Sequence, residues 1–136
     1  MPVSKLEELP AGGENGRWPN CAIGFRSAQW GDMEVGYTTT GVGDHAPIYQ
    51  GLPGGVCQCP HYGYVFKGVV RSRYPGTDRP DEVARTGEAY FFPAGHILSY
   101  EEETEALELN PAAALQTLMD HVESLARKHF EALADS

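Results

Sequence analysis

Basic residues are scarce in this chain, and that scarcity excludes several partner classes. Ten lysines and arginines face 19 aspartates and glutamates over 136 residues, a formal charge of −9. Nucleic acid and anionic lipid are held by clustered positive charge, so this balance argues against both as partners. The nearest approach to a basic strip is Lys67 with Arg71 and Arg73. Long apolar runs are also missing, since none approaches the ~20 residues that cross a bilayer. The opening Met1-Pro2-Val3-Ser4-Lys5-Leu6-Glu7-Glu8 lacks the basic start and apolar middle of a secretory signal, so a cytoplasmic soluble protein is expected. Cysteine is sparse and odd in number. Of the three, Cys57 and Cys59 are one residue apart. Alternate Cα atoms of a strand lie ~6.5 Å apart, so a disulfide between these two would be strained, and reduced thiols are the simpler reading. Cys21 stands alone and reads as a small buried hydrophobe.

What is present describes one domain with an ordinary apolar share of 41%, large enough to bury a core without staples. Residues 1–20 are rich in Gly, Pro, Glu and Asn and read as a loosely held, flexible N-terminal arm. Residues 21–110 break into short apolar stretches between turn residues such as Gly51-Leu52-Pro53-Gly54-Gly55 and Pro75-Gly76-Thr77-Asp78. The expected strands are Cys21–Ser27, Met33–Thr39, Gly55–His61, Gly63–Tyr74, Glu82–Arg85, Ala89–Pro93, His96–Tyr100 and Thr104–Leu109. So many short strands predict an all-β sandwich or barrel. In the segment 111–136 the pattern changes. Leu115, Leu118, Met119, Val122, Leu125, Ala126, Phe130 and Leu133 recur at helical spacing. With Asn110 as N-cap and Pro111 at the first helical position, one amphipathic helix follows. It either packs on the barrel or forms a dimer seam. His121 and His129 on it read as ordinary helix histidines.

The chemistry concentrates in Cys57-Gln58-Cys59-Pro60-His61. In a strand, alternate side chains share a face, so Cys57, Cys59 and His61 would converge on one side. A second segment, Gly87 to Gly95, delivers His96 after a turn. Two thiolates and two imidazoles make a tetrahedral zinc set, and thiolate ligation favours zinc or copper(I) over oxygen-loving metals. Four protein ligands would close the site and make it structural. If a kink at Pro60 turns Cys59 away, Cys57, His61 and His96 leave a position open for water. The competing reading is two small buried cysteines beside a core histidine. A redox role for the Cys57/Cys59 pair is disfavoured by its geometry.

These segments resemble the two motifs of the cupins. His61 followed after six residues by Gly68 matches the close of the first motif, and Gly87, Pro93 and Gly95 match the second in spacing. The likeness spans roughly residues 30–109. It implies an all-β cupin jelly-roll barrel with an internal pocket, here extended by one C-terminal amphipathic α-helix, and a homodimer. The ligand set departs from the usual pattern. His61 stands at the glutamate position, Cys57 at a histidine position, and Gly55 at the other histidine position. The second-motif histidine would fall on Leu98, whereas His96 comes two residues earlier, ~6.6 Å along the same strand face. The usual three-histidine, one-glutamate iron site is therefore absent, which weakens an iron oxygenase reading. Small bacterial cupins with Cys, His-x-Gly-Tyr-Val and Pro-x-Gly-His are more similar.

Several further residues are candidates for the pocket wall. By alternation Tyr90 and Phe92 share a face with His96, as do Leu98 and Tyr100, either as pocket lining or as plain core. Glu34 and Tyr37 could reach the mouth. Beyond Gly63 the apolar alternation changes phase, and a bulge near Gly63 is expected to reconcile it. The functional expectation is a metal-binding barrel, zinc first, that binds or acts upon a small organic molecule. The alternative is a non-catalytic binding or sensing module whose metal is structural or absent.

Overall fold

The computed structural model describes residues 3–18 and 24–134. Cys21 and the first part of the expected Cys21–Ser27 strand lie outside these residues, as does the side chain of His129. Nine strands are described: β1 Gly24–Trp30, β2 Met33–Thr40, β3 Gly43–Asp44, β4 His61–Lys67, β5 Val69–Arg73, β6 Glu82–Arg85, β7 Ala89–Phe92, β8 Ile97–Tyr100 and β9 Thr104–Pro111. One helix follows, α1 Ala112–Ala134. The strands form two antiparallel sheets, ordered β1-β2-β9-β4-β7 and β3-β8-β5-β6. Their inner faces interlock: Val65 and Phe92 of the first sheet pack with Val70, Ala84 and Leu98 of the second. The result is the all-β barrel with one C-terminal helix that the strand pattern predicts. No helix among the described residues is long and apolar enough to cross a membrane.

A second cluster closes one end of this barrel. Trp18, Phe25, Tyr49 and Ile97 gather there with Cys57, Cys59, Leu115 and Leu118. The two leucines belong to α1 and sit one turn apart on its inner face, so the helix covers the barrel end with its apolar stripe. Among the described residues before β1 there is no regular sheet strand, but residues 6–18 are docked. Leu9 and Trp18 are buried, and the Gly12 N–H donates to the Phe25 carbonyl.

Besides the unexpected short β3 and the continuation of β1 to Trp30, the expected strands depart from the fold at three places with a local cause. Gly55–His61 is not a strand. Pro53–Gly55 form a tight turn in which Gly54 and Gly55 take left-handed φ, and Cys57 makes only an isolated bridge to His96 before β4 begins at His61. Left-handed φ is costly for residues with a Cβ, so two adjacent glycines mark the turn. The expected Gly63–Tyr74 strand is two strands joined by a corner at Gly68. The register shift lies between Val65 and Lys67, not near Gly63. It moves the inward set from His61 and Val65 to Val70, Ser72 and Tyr74. Finally, Asn110 does not cap α1. β9 runs on through Pro111, the Ala112 N–H donates to the Asp32 carbonyl, and the Asn110 side chain is turned into the barrel.

Candidate metal centre

Three buried side chains meet beneath the closed end of the barrel. The ligand atoms of Cys57, His61 and His96 all lie within 4.8 Å of one another. Three different pieces of backbone bring them there. Cys57 is held by reciprocal backbone bonds with the β7–β8 turn: its N–H donates to the His96 carbonyl and its carbonyl accepts from Gly95 N–H. His96 follows Gly95, whose left-handed φ of 97° turns the chain from β7 into β8. His61 is the first residue of β4, on its inner face.

The proton positions on both rings follow from their partners. His96 Nδ1 lies 2.7 Å from the Pro93 carbonyl oxygen, which can only accept, so Nδ1 carries the proton and donates it. The ring is fully buried, and its Nε2 has no hydrogen-bond partner. His61 Nδ1 lies 2.7 Å from Asn110 Oδ1 and 3.2 Å from Glu108 Oε1, both acceptors, so it too is protonated there. Its Nε2 then faces Cys57 Sγ at 3.7 Å. Both imidazoles thus direct an Nε2 towards one thiol. An orphaned nitrogen buried in protein costs free energy unless something binds it.

Charge at the thiol points the same way. Burial opposes ionisation of Cys57, but the imidazoles of His61 and His96 outweigh it and draw the pKa down from 9.0 to about 6. For His61, burial favours the neutral ring, yet the Glu108 charge and the neighbouring cysteines raise its pKa well above 6.5. Cys59 is also buried but stands outside the three-residue cluster. Its Sγ donates to the Pro60 carbonyl at 3.4 Å, and burial raises its pKa. The backbone from Cys57 to Pro60 is bent rather than extended, so the period of two that was to align Cys59 with its neighbours is broken.

Glu108, Asn110 and Tyr90 form a shell behind His61; the sequence reading placed Tyr90 on the pocket wall and Asn110 at a helix cap, and passed over Glu108. Asn110 Nδ2 donates to Glu108 Oε1 at 3.0 Å, and the Tyr90 hydroxyl donates to Glu108 Oε2 at 2.7 Å. Burial and then the Glu108 charge hold Tyr90 well above the usual phenol range, so it remains a donor. Sheet register explains the grouping. Gly63 of β4 faces Glu108 on one side and Tyr90 on the other, leaving the Tyr90 ring room to cross the strand to the carboxylate. One signal was available in the sequence. In Thr104–Pro111 the polar residues Thr104, Glu108 and Asn110 fall on one alternating face, and that is the buried one.

A cavity of about 40 Å³ adjoins this centre. His61 and Glu108 share its wall with Tyr49, His45, Leu98 and Tyr100, and α1 contributes Leu115 and Leu118 to it. Desolvation lowers the His45 pKa and raises those of Tyr49 and Tyr100, so these groups are neutral. Of the expected wall residues, Leu98 and Tyr100 line the cavity, whereas Phe92 stacks on Tyr90 at 4.5 Å in the barrel core. Glu34 is fully buried and engaged by Arg17 at 2.7 Å, so it does not serve the mouth. Tyr37 lies on the outer face, near Phe66.

No family model matches the sequence, and no curated protein is similar to it. Solved structures are similar in fold. Ectoine synthase from P. lautus aligns with 82% of this chain and 78% of its own at 13% identity and a TM-score of 0.53. A candidate mannose-6-phosphate isomerase from Ralstonia eutropha aligns with 80% of this chain and 96% of its own, at 15% identity and 0.51. A candidate ethanolamine utilization protein Q from Salmonella typhimurium aligns with 75% and 79%, at 16% identity and 0.50. At these identities the likeness is one of fold: the chain has the fold of a small cupin barrel with a C-terminal helix.

Proposed function

We propose that Cys57, His61 and His96 hold a thiophilic divalent metal, zinc first, and that the barrel binds or acts upon a small organic molecule beside it. The buried, unpartnered Nε2 of His96 carries this reading. Both rings commit Nδ1 to fixed acceptors, so Nε2 is the nitrogen each would give a metal, His61 releasing its second proton on binding. The Cys57 thiol beside them has a pKa lowered to about 6, and one thiolate with two imidazoles suits zinc. Bound to three protein ligands, zinc would supply a water whose pKa is lowered towards ~7.

The chain's own residues then have separable roles. Asn110 and Glu108 accept the His61 Nδ1 proton and orient the ring. Tyr90 holds the Glu108 carboxylate in place. Leu98, Leu115 and Leu118 make part of the cavity wall apolar, and Tyr49 and Tyr100 also line it. A non-catalytic binding or sensing role is the second reading. The small cavity and the three donors already satisfying Glu108 favour it, because neither leaves an obvious free base.

Elemental analysis of protein made without a histidine tag and reloaded with zinc tests the site. About one zinc per chain is expected, lost in both Cys57→Ala and His96→Ala and retained in Cys59→Ala. No stoichiometric metal in the reloaded protein would overturn the metal reading.

A further inference from the structure

The five-stranded sheet keeps many of its polar side chains inside. β4 turns Tyr62, Tyr64 and Phe66 outwards and His61 inwards, and β9 buries Glu108 and Asn110. An antiparallel sheet with one face in water normally shows the reverse, apolar inside and polar outside. His61, Glu108 and Asn110 belong to the centre beneath the closed end. Two further inward residues, Thr38 and Thr40 of β2, do not, and both stand on the wall of the cavity. The Thr38 hydroxyl donates to the Ala106 carbonyl at 3.4 Å. Thr40 is different: it is 5% exposed, and its Oγ1 is buried with no hydrogen-bond partner. The Tyr100 hydroxyl stands near it, but the two are not aligned into a hydrogen bond. A stranded hydroxyl costs stability, and valine of the same shape would avoid that cost. Packing therefore gives the Thr40 hydroxyl no purpose.

Size and charge define what the cavity can take. Its volume is about 40 Å³, and a water needs ~10–15 Å³ on that measure. It thus has room for about three waters, or for one ligand of about four non-hydrogen atoms. Among the described residues lining it there is no lysine or arginine. Its one carboxylate, Glu108, is already met by the Tyr90 hydroxyl, the Asn110 amide and His61 Nδ1. The His61 ring, when charged, is matched by Glu108 at 3.2 Å. A bound zinc dication would likewise be balanced by the Cys57 thiolate and the Glu108 carboxylate. No charge is left over for an ionic ligand, and burying an unpaired ion is costly. Phe25, Leu98, Leu115 and Leu118 make much of the remaining wall apolar.

We propose that the cavity takes a compact uncharged molecule of about four non-hydrogen atoms, a simple amide, ketone or alcohol, anchored at its polar end by the Thr40 hydroxyl. A hydroxyl both donates and accepts, so it serves a carbonyl, an amide or an alcohol equally. The alkyl part of such a molecule suits the apolar wall. This inference deepens the reading of a small-molecule barrel and rests on it. It does not rest on the metal, because Thr40 and the apolar wall are the same with or without zinc.

Three planar probes of one size separate the charge classes: acetamide is neutral, acetate an anion and acetamidinium a cation. Each is titrated at neutral pH into the full-length protein, metal-free and zinc-loaded, and followed by proton–nitrogen NMR. Acetamide is expected to bind both forms with a Kd of ~0.1–10 mM, at least about tenfold tighter than either ion. Benzamide, too large for the cavity, should not shift the resonances of its wall. Thr40→Val should weaken acetamide about 3–10-fold while leaving the thermal midpoint unchanged or raised, a combination that a merely structural hydroxyl would not give. Thr40→Ser, which keeps the hydroxyl, should retain binding, and the order among the probes decides the matter if Thr40→Val does not fold. Ionic probes binding as tightly as acetamide, benzamide binding at the same wall, acetamide indifferent to Thr40→Val, or no acetamide binding at about 100 mM would each overturn the proposal. A failure to load zinc would overturn the metal reading alone, since the metal-free titration involves none.

Discussion

His96 is committed at one ring nitrogen and open at the other: Nδ1 donates to the Pro93 carbonyl, and Nε2 is buried with nothing to bind. His61 is committed in the same sense through Asn110 and Glu108, and the Cys57 sulfur lies within 4.8 Å of a ligand nitrogen of each ring. Removing Asn110 should therefore weaken zinc without abolishing the site. Asn110→Ala is expected to lower zinc affinity by about 10–100-fold at unchanged stoichiometry, read by competition with a chromophoric chelator. Unaltered affinity would remove Asn110 from the orienting role. The thiol gives a pH dependence. Its pKa lies below the ordinary 9.0, at about 6, so the metal-free protein should show thiolate absorbance near 240 nm rising through about pH 6. Zinc affinity should fall as pH drops, first as His61, whose pKa is raised, takes up its second proton and then as the Cys57 sulfur is protonated, because protons compete for both donors. His61→Asn removes one of the imidazoles that lower the pKa, and should move the titration upward. At this scale the four ligand-type residues were legible from their chemistry and spacing. That Cys59 falls outside the cluster was not, because alternation presupposes a strand and the Cys57–Pro60 backbone bends.

Single elements position these groups through a few tight contacts. β4 crosses between Glu108 and Tyr90 only because Gly63 has no side chain. A Cβ there would stand 2.5 Å from the Leu107 carbonyl oxygen and from the Tyr90 hydroxyl. Gly63→Ala is expected to cost about 1–3 kcal/mol by urea unfolding and to lower zinc affinity by displacing Tyr90 from Glu108. A midpoint equal to wild type would show that β4 relaxes freely. α1 contributes to the core through Leu115 and Leu118, so Leu115→Ala should cost about 2–5 kcal/mol and enlarge the cavity beside His61. Most strands were legible within a residue or two from apolar runs and turn glycines, and Glu82–Arg85 coincides with its expectation. The shift between Val65 and Lys67 and the extension of β9 through Pro111 were hidden. A bulge is decided by the partner strand's register, and Asn110-Pro111 reads equally well as a cap or as a strand end.

For the molecule as a whole, a metal at this centre would be coupled to the core and the closing helix, because the cluster that closes the barrel contains Cys57 itself. Zinc that binds only the folded barrel should raise its thermal midpoint, by about 2.7 kcal/mol of stability at a hundredfold excess over the dissociation constant. A chelator should reverse the gain, and Cys57→Ser should show none. An equal shift in that variant would place the zinc elsewhere. The sequence by itself determined the all-β class, the cupin motif spacing, the terminal helix and the ligand-bearing segments. These rest on local chemistry: periodicity, turn glycines, and sulfur and imidazole donors close together in the chain. Only the tertiary structure decided which donors converge, that Glu108, Asn110 and Tyr90 stand behind them, and that the aromatic face of the sheet looks outwards. The physical reason is that a strand's alternation defines two faces without saying which is inside. That choice is made by the opposing sheet and the helix, through contacts between residues far apart in sequence.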